Sequence, residues 1–156
     1  MIGWLAVLVV AIVLVIQVIP VERNVSTVPP GQSFEKTEKV PANVAAILKV
    51  SCYDCHSNET KYPWYSNISP TSWWVKNHIN EGRKHLNFST FAVYEPQRQL
   101  HKLEECIEMV EKKEMPLESY YLGHQNAKLS DEQRADLIQY FKKVKDDTER
   151  GIMFNK

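Results

Sequence analysis

Two thiols and an imidazole fall within a single helical turn at Cys52-Tyr53-Asp54-Cys55-His56. Residues three apart on a helix share a face, so Cys52 and Cys55 point the same way and His56 follows directly. Three chemistries use such a C-x-x-C-H cluster. Covalent attachment of a c-type haem places each thiol on a vinyl group and the imidazole under the iron. A zinc site and a dithiol redox site use the same thiols. Each makes a different demand on the rest of the chain.

Structural zinc calls for a second ligand pair at regular spacing. The remaining Cys106 and the scattered His78, His85, His101 and His124 form none. A thioredoxin-like dithiol belongs beside a βαβ pattern, and no segment alternates apolar and polar residues as a half-buried strand does. Three cysteines are an odd number, so a disulfide framework accounts for them poorly, and Cys106 reads as a small buried hydrophobe. The 19 basic and 19 acidic residues cancel, leaving no electrostatic footprint for nucleic acid.

Residues Ile2 to Ile19 are apolar on every face except at Gln17. A helix of about 18 residues rises about 27 Å, close to a bilayer's hydrocarbon core. Trp4 suits an interface, and Pro20, Glu22 and Arg23 end the run. No basic n-region or A-x-A-like site marks a cleaved signal. A retained transmembrane anchor over residues 1–20 is expected, contacting membrane lipid through residues 2–19. Haem attachment of this kind is carried out outside the cytoplasm, so the body should face the periplasm or cell exterior.

The body reads as all-α. Residues 21–40, with Val28-Pro29-Pro30-Gly31 and a charge run at 35–39, read as a linker. Val44, Ile47, Leu48 and Ser51 line one face of a helix that runs into the cysteines. An aromatic loop with Tyr62, Trp64 and Tyr65 follows, then a helix from Pro70 carrying Trp73, Trp74 and His78. A further helix spans 95–113, with Leu100, Leu103, Ile107 and Val110 on one side. The last begins at Ser130, where Ser130 and Gln133 form a capping-box pattern. A haem-binding domain over residues 41–147 and a tail over 148–156 complete the organisation.

A haem iron held by His56 needs a second ligand, commonly Met or His. Met1 starts the anchor and Met153 lies in the tail. At about 100° per residue, Met109 points away from the apolar face of its helix. Met115 lies beyond that helix, and Pro116 holds it in extended geometry, which suits a loop presenting a sulfur. His78, one turn from Trp74, is the rival. His101 falls off the core face, and His85 and His124 read as exposed. The aromatic residues should supply core area, with a Trp indole or Arg83 available to a haem propionate.

The chain resembles the small membrane-anchored haem-binding domain family related to class I c-type cytochromes. The resemblance rests on Ser51-Cys52-Tyr53-Asp54-Cys55-His56-Ser57-Asn58 and Tyr62-Pro63-Trp64-Tyr65-Ser66-Asn67-Ile68-Ser69-Pro70. It continues in Asn80-Glu81-Gly82-Arg83, His85-Leu86-Asn87-Phe88-Ser89, Glu114-Met115-Pro116-Leu117 and Leu129-Ser130. It spans roughly residues 41 to 145. It implies haem c bound through Cys52 and Cys55, with His56 as proximal and Met115 as distal iron ligand. The expected activity is one-electron transfer to a protein redox partner, without catalysis. A haem-based sensor with a labile distal ligand is the alternative.

Overall fold

A computed structural model describes residues 2–23 and 31–154. Every regular element among them is helical. The order is α1 (Ile2–Gln17), α2 (Phe34–Thr37), α3 (Ala42–Ser51), α4 (Tyr53–His56), α5 (Thr71–His85), α6 (Pro96–Glu111), α7 (Glu118–Tyr121) and α8 (Asp131–Phe154). Short 3-10 turns at Trp64–Asn67, Phe88–Val93 and Gln125–Ala127 join them.

Helices α6 and α8 form the main packed pair. Their apolar stripes supply Leu103 and Val110 from α6, with Leu137, Phe141 and Val144 from α8. Pro96 opens α6 at its first turn, where a missing N–H costs nothing. The capping box expected for α8 is present. Gln133 N donates to Ser130 Oγ at 3.1 Å, and Ser130 N donates back to Gln133 Oε1 at 3.0 Å. Helix α3 packs on α8 through Val44, Ile47 and Leu48, which positions the cysteine turn that follows it.

The linker reading of residues 21–40 is corrected at Phe34. Its side chain is fully buried among Phe88, Phe91, Tyr140 and Phe141, with ring centroids 5.0–6.2 Å away. Burying one such ring is worth about 1.5–3 kcal/mol. The charge run after it conceals this role, because a four-residue helix buries Phe34 fully while Glu35 is half-buried and Lys36 is exposed.

The anchor reading is corrected in length. Helix α1 ends at Gln17, and no helix among the described residues is long and apolar enough to cross a membrane. Its sixteen residues rise about 24 Å against a hydrocarbon core of about 30 Å. The end has a tertiary cause. Gln17 turns its amide onto the body, donating from Nε2 to Ser69 O at 2.9 Å and accepting from Ser69 N at 3.0 Å. Val18 and Ile19 close the helix with tightened bonds to Val15 and Ile16. The apolar side chains of α1 stay exposed all round, from Trp4 to Val15.

Candidate functional site

Cys52 is the joint between α3 and α4. Its φ of −126° and ψ of −40° break the helical path, and its carbonyl accepts from Cys55 N and His56 N at 3.2 and 2.9 Å. The expected turn therefore forms. Cys52, Cys55 and Cys106 are all unpaired thiols. Burial pushes the Cys52 thiol up to about 12, with the neighbouring Cys55 adding to it. Burial, and then Asp54, push Cys55 up to about 11. Both are neutral, reduced thiols. Cys106 packs against the core as a hydrophobe does.

The imidazole of His56 is held in one tautomer. Nδ1 lies 2.9 Å from Gly82 O and 3.1 Å from Leu86 O. Carbonyls only accept, so Nδ1 carries the proton and Nε2 keeps its lone pair. No described residue takes up Nε2. Burial lowers the His56 pKa, outweighing the two carbonyl bonds that raise it. A neutral ring with a carbonyl-anchored Nδ1–H and a bare Nε2 is the arrangement of a metal-ligating histidine.

The acceptors sit on α5, and glycine brings that helix close. A Cβ built at Gly82 would lie 2.8 Å from Cys55 O and 3.1 Å from Cys55 Cβ. Any side chain there would push α5 away from the cysteine turn. The next residue locks the loop after His56. Arg83 Nε donates to Ser57 O at 2.7 Å and Nη2 to Thr60 Oγ1 at 2.8 Å. The loop is further tied by Asn58 N to Ser89 Oγ and by Asn87 Nδ2 to Asn58 Oδ1, each 2.9 Å. Arg83, considered for a propionate, thus directs these two groups at its own chain.

Beside Cys55 lies a cleft of about 60 Å³ lined by Asp54, Tyr65, Trp74, His78, Leu117, Tyr120 and His124, among others. Its far wall is the segment between α6 and α8. Tyr120 Oη donates to Asp54 Oδ2 at 2.6 Å, and Lys61 N donates to Asp54 Oδ1 at 2.9 Å. Burial and the adjacent Asp54 carboxylate raise the Tyr120 pKa, so the phenol stays protonated and donating. The His124 ring stacks on Tyr120 at 4.1 Å. His78 is half-buried on the opposite side, its Nδ1 bonded to Trp74 O at 3.0 Å.

Met115 stands where this wall begins. Its N–H donates to Met109 O at 3.2 Å, and its carbonyl accepts from Arg134 Nη1 at 3.2 Å. It is half-buried, and its side chain is not part of the cleft lining, which Leu117 enters two residues later. The structure therefore joins Cys55 to His78 and His124 across the cleft, with Met115 at its margin. His85 and His101 are exposed, as expected. His124, expected to be exposed, is instead half-buried in the wall because Tyr120, one turn before it, covers its face. Asp54 and Tyr120 were not legible as site residues. The i, i+4 pair Tyr120 and His124 following Met115-Pro116 was the available signal. Trp64, Trp73 and Trp74, expected to supply core area, are exposed at 75%, 38% and 47%.

The donor set fits a haem of the c type better than the cleft does. Two reduced thiols and a neutral imidazole stand together on one turn. A volume of about 60 Å³ holds only a water or two, and neither Cys52 nor His56 belongs to its lining, so the cleft as it stands is not a porphyrin pocket. Among the described residues no cluster of three His, Cys, Asp or Glu is placed to hold a bare metal ion. A model of the haem-binding domain family matches residues 11–143. Comparison with curated proteins and with solved structures finds no match.

Proposed function

The chain belongs to the haem-binding domain family, and on that footing we propose that it is a membrane-tethered monohaem c-type cytochrome that transfers single electrons. One observation carries the reading. His56 follows two reduced thiols directly and presents a bare, neutral Nε2 because Nδ1–H is committed to Gly82 and Leu86.

In this reading Cys52 and Cys55 would hold the haem through thioethers, and His56 Nε2 would ligate its iron. Bound haem supplies an iron that cycles between ferrous and ferric states. The chain's own work is positional. Gly82 and Leu86 aim the imidazole, Arg83 fixes the following loop, and burial keeps the ring neutral through the physiological range. Met115 would supply the second iron ligand. A Met ligand raises the potential and leaves no open position, so the protein serves as a carrier and not as an enzyme. The apolar residues 2–19 tether it to the cytoplasmic membrane with the body on the outer side.

A second reading has its own support. His78 and His124, and not the Met115 side chain, line the cleft beside Cys55. A haem whose distal position is labile or exchangeable would suit a sensor of small ligands.

The test is a pyridine haemochrome spectrum of protein expressed with a haem-attachment system. A covalent c-type signal that disappears in Cys52→Ala/Cys55→Ala is the expected result, and its absence from the unmutated chain sinks the proposal. Met115→Ala separates the two readings. Changed ferric and ferrous spectra support the carrier, whereas unchanged spectra with rapid CO binding support the sensor.

A further inference from the structure

The segment from Thr60 to Asn80 carries Lys61 and Lys76 and no acidic residue, although the chain as a whole is neutral. It also exposes large apolar side chains, with Trp64 at 75%, Ile68 at 45% and Trp73 at 38%. The end of the apolar helix α1 is fastened to this same segment. Gln17 makes its two bonds to Ser69, Arg23 bonds the Asn67 side chain and lies over the Tyr62 ring at 5.2 Å, and Glu22 pairs with Lys76 at 4.0 Å.

We propose that the face carrying Trp64, Ile68 and Trp73 is a docking surface for the anionic headgroup layer of a phospholipid bilayer. It holds the body flush against the membrane that α1 enters. The proposal rests on the reading of residues 2–19 as a membrane anchor. Three physical points converge on it. First, Trp is the side chain that favours the membrane interface, having an apolar body and one N–H donor. Ile68 stands next to the Gln17 clasp, and Trp73 lies one helical turn beyond it. Second, Lys61 makes no ion pair among the described residues and Lys76 makes only a 4.0 Å contact with the exposed Glu22, so both can turn to anionic lipid, which attracts a surface lysine by about 1 kcal/mol. Third, α1 falls about 6 Å short of a hydrocarbon core, from the rise of sixteen residues. Short spans are accommodated by bilayer thinning and by neighbouring groups sinking into the interface. The residues next to the end of α1 are these aromatic ones, and the clasp at Ser69 leaves no slack for the body to float away.

The experiment uses the full chain in nanodiscs of phosphatidylethanolamine and phosphatidylglycerol. Acyl chains are brominated near the headgroups, and Trp4→Phe removes the tryptophan of α1. The readout is the ratio of tryptophan emission with and without bromine, which cancels any quenching by haem. Emission should fall roughly twofold, since Trp rings sit at that depth. Most of the effect should disappear in Trp64→Phe/Trp73→Phe and lessen in Gln17→Ala. No bromine effect in a chain that resists alkaline carbonate extraction overturns the docking surface and spares the anchor. A chain that carbonate extracts overturns both. Equal quenching in phosphatidylcholine alone overturns the assignment to anionic headgroups.

Discussion

Replacing Gly82 by Ala tests the geometry of the imidazole most directly. Helix propensity alone favours the change, because Gly inside a helix is about 1 kcal/mol worse than Ala. The structure reverses that sign. The added Cβ would meet Cys55 O at 2.8 Å, a backbone atom with no rotamer to escape through. Ordinary contact starts at 3.4 Å, so α5 must retreat by 3.4 − 2.8 = 0.6 Å. If that retreat lies along the hydrogen bond, the His56 Nδ1 to Gly82 O distance grows from 2.9 to 3.5 Å and the bond is lost. Overpacking costs about 1–3 kcal/mol, and losing one of the two carbonyls that share the Nδ1–H costs about 0.5–1.5 kcal/mol more. After the propensity gain of about 1 kcal/mol, the net loss is about 0.5–3.5 kcal/mol. Gly151 is the internal control, since a Cβ there meets nothing within 4 Å. Denaturant unfolding of the full chain in mild detergent, followed by tryptophan emission, gives both values. Gly82→Ala should be destabilised and should attach less haem, and Gly151→Ala should gain about 0.5–1 kcal/mol. A Gly82→Ala chain as stable as Gly151→Ala, with haem attachment intact, would refute the close approach.

Two other changes probe the frame around the site. Arg134 is buried and bridges Val110 O at 2.6 Å to Met115 O at 3.2 Å; Arg134→Leu should cost about 1.5–3 kcal/mol and speed hydrogen exchange at residues 112–117, and unchanged exchange would show that the clamp does not hold this segment. Tyr140 donates to Glu38 O at 2.8 Å, and burial, followed by Glu38 and Asp147, pushes its phenol up to about 12. A folded-state value above the unfolded one means stability that is complete below pH 10 and is lost as pH rises towards 12. Tyr140→Phe should therefore flatten the unfolding midpoint between pH 10 and about 12, and an unaltered alkaline slope would count against the bond.

What could be read from the chain follows contact distance along it. The cysteine turn, the stripes of α6 and the capping box of α8 depend on residues within one or two turns of each other, and all were legible. Phe34 was not, because its partners Phe88, Phe91 and Phe141 lie more than fifty residues away and the two residues that follow it are charged. His124 was misjudged for the same reason. Its burial depends on Tyr120, which is itself held by Asp54, sixty-six residues earlier. The short end of α1 depends on Gln17 meeting Ser69, a pairing that local hydropathy cannot register.

These distant contacts also divide the site into a rigid half and a movable half. His56 is fixed by two carbonyls, by the close approach at Gly82 and by the loop bonds of Arg83, so its geometry is set before any haem arrives. The opposite wall has no helix longer than four residues between α6 and α8. It is fastened to the rigid half at Asp54 through Tyr120, and to α8 through Arg134. Releasing the first of these fastenings would widen the cleft, while the second ties the backbone at Met115 to α8. With the Tyr120 to Asp54 bond closed the cleft holds only a water or two, so either function would need that bond released to admit haem there. The two functions then differ in whether Met115, whose carbonyl Arg134 holds, fills the second iron position. Tyr120→Phe removes that bond and should attach haem faster than the unmutated chain, and an unchanged rate would place the gate elsewhere.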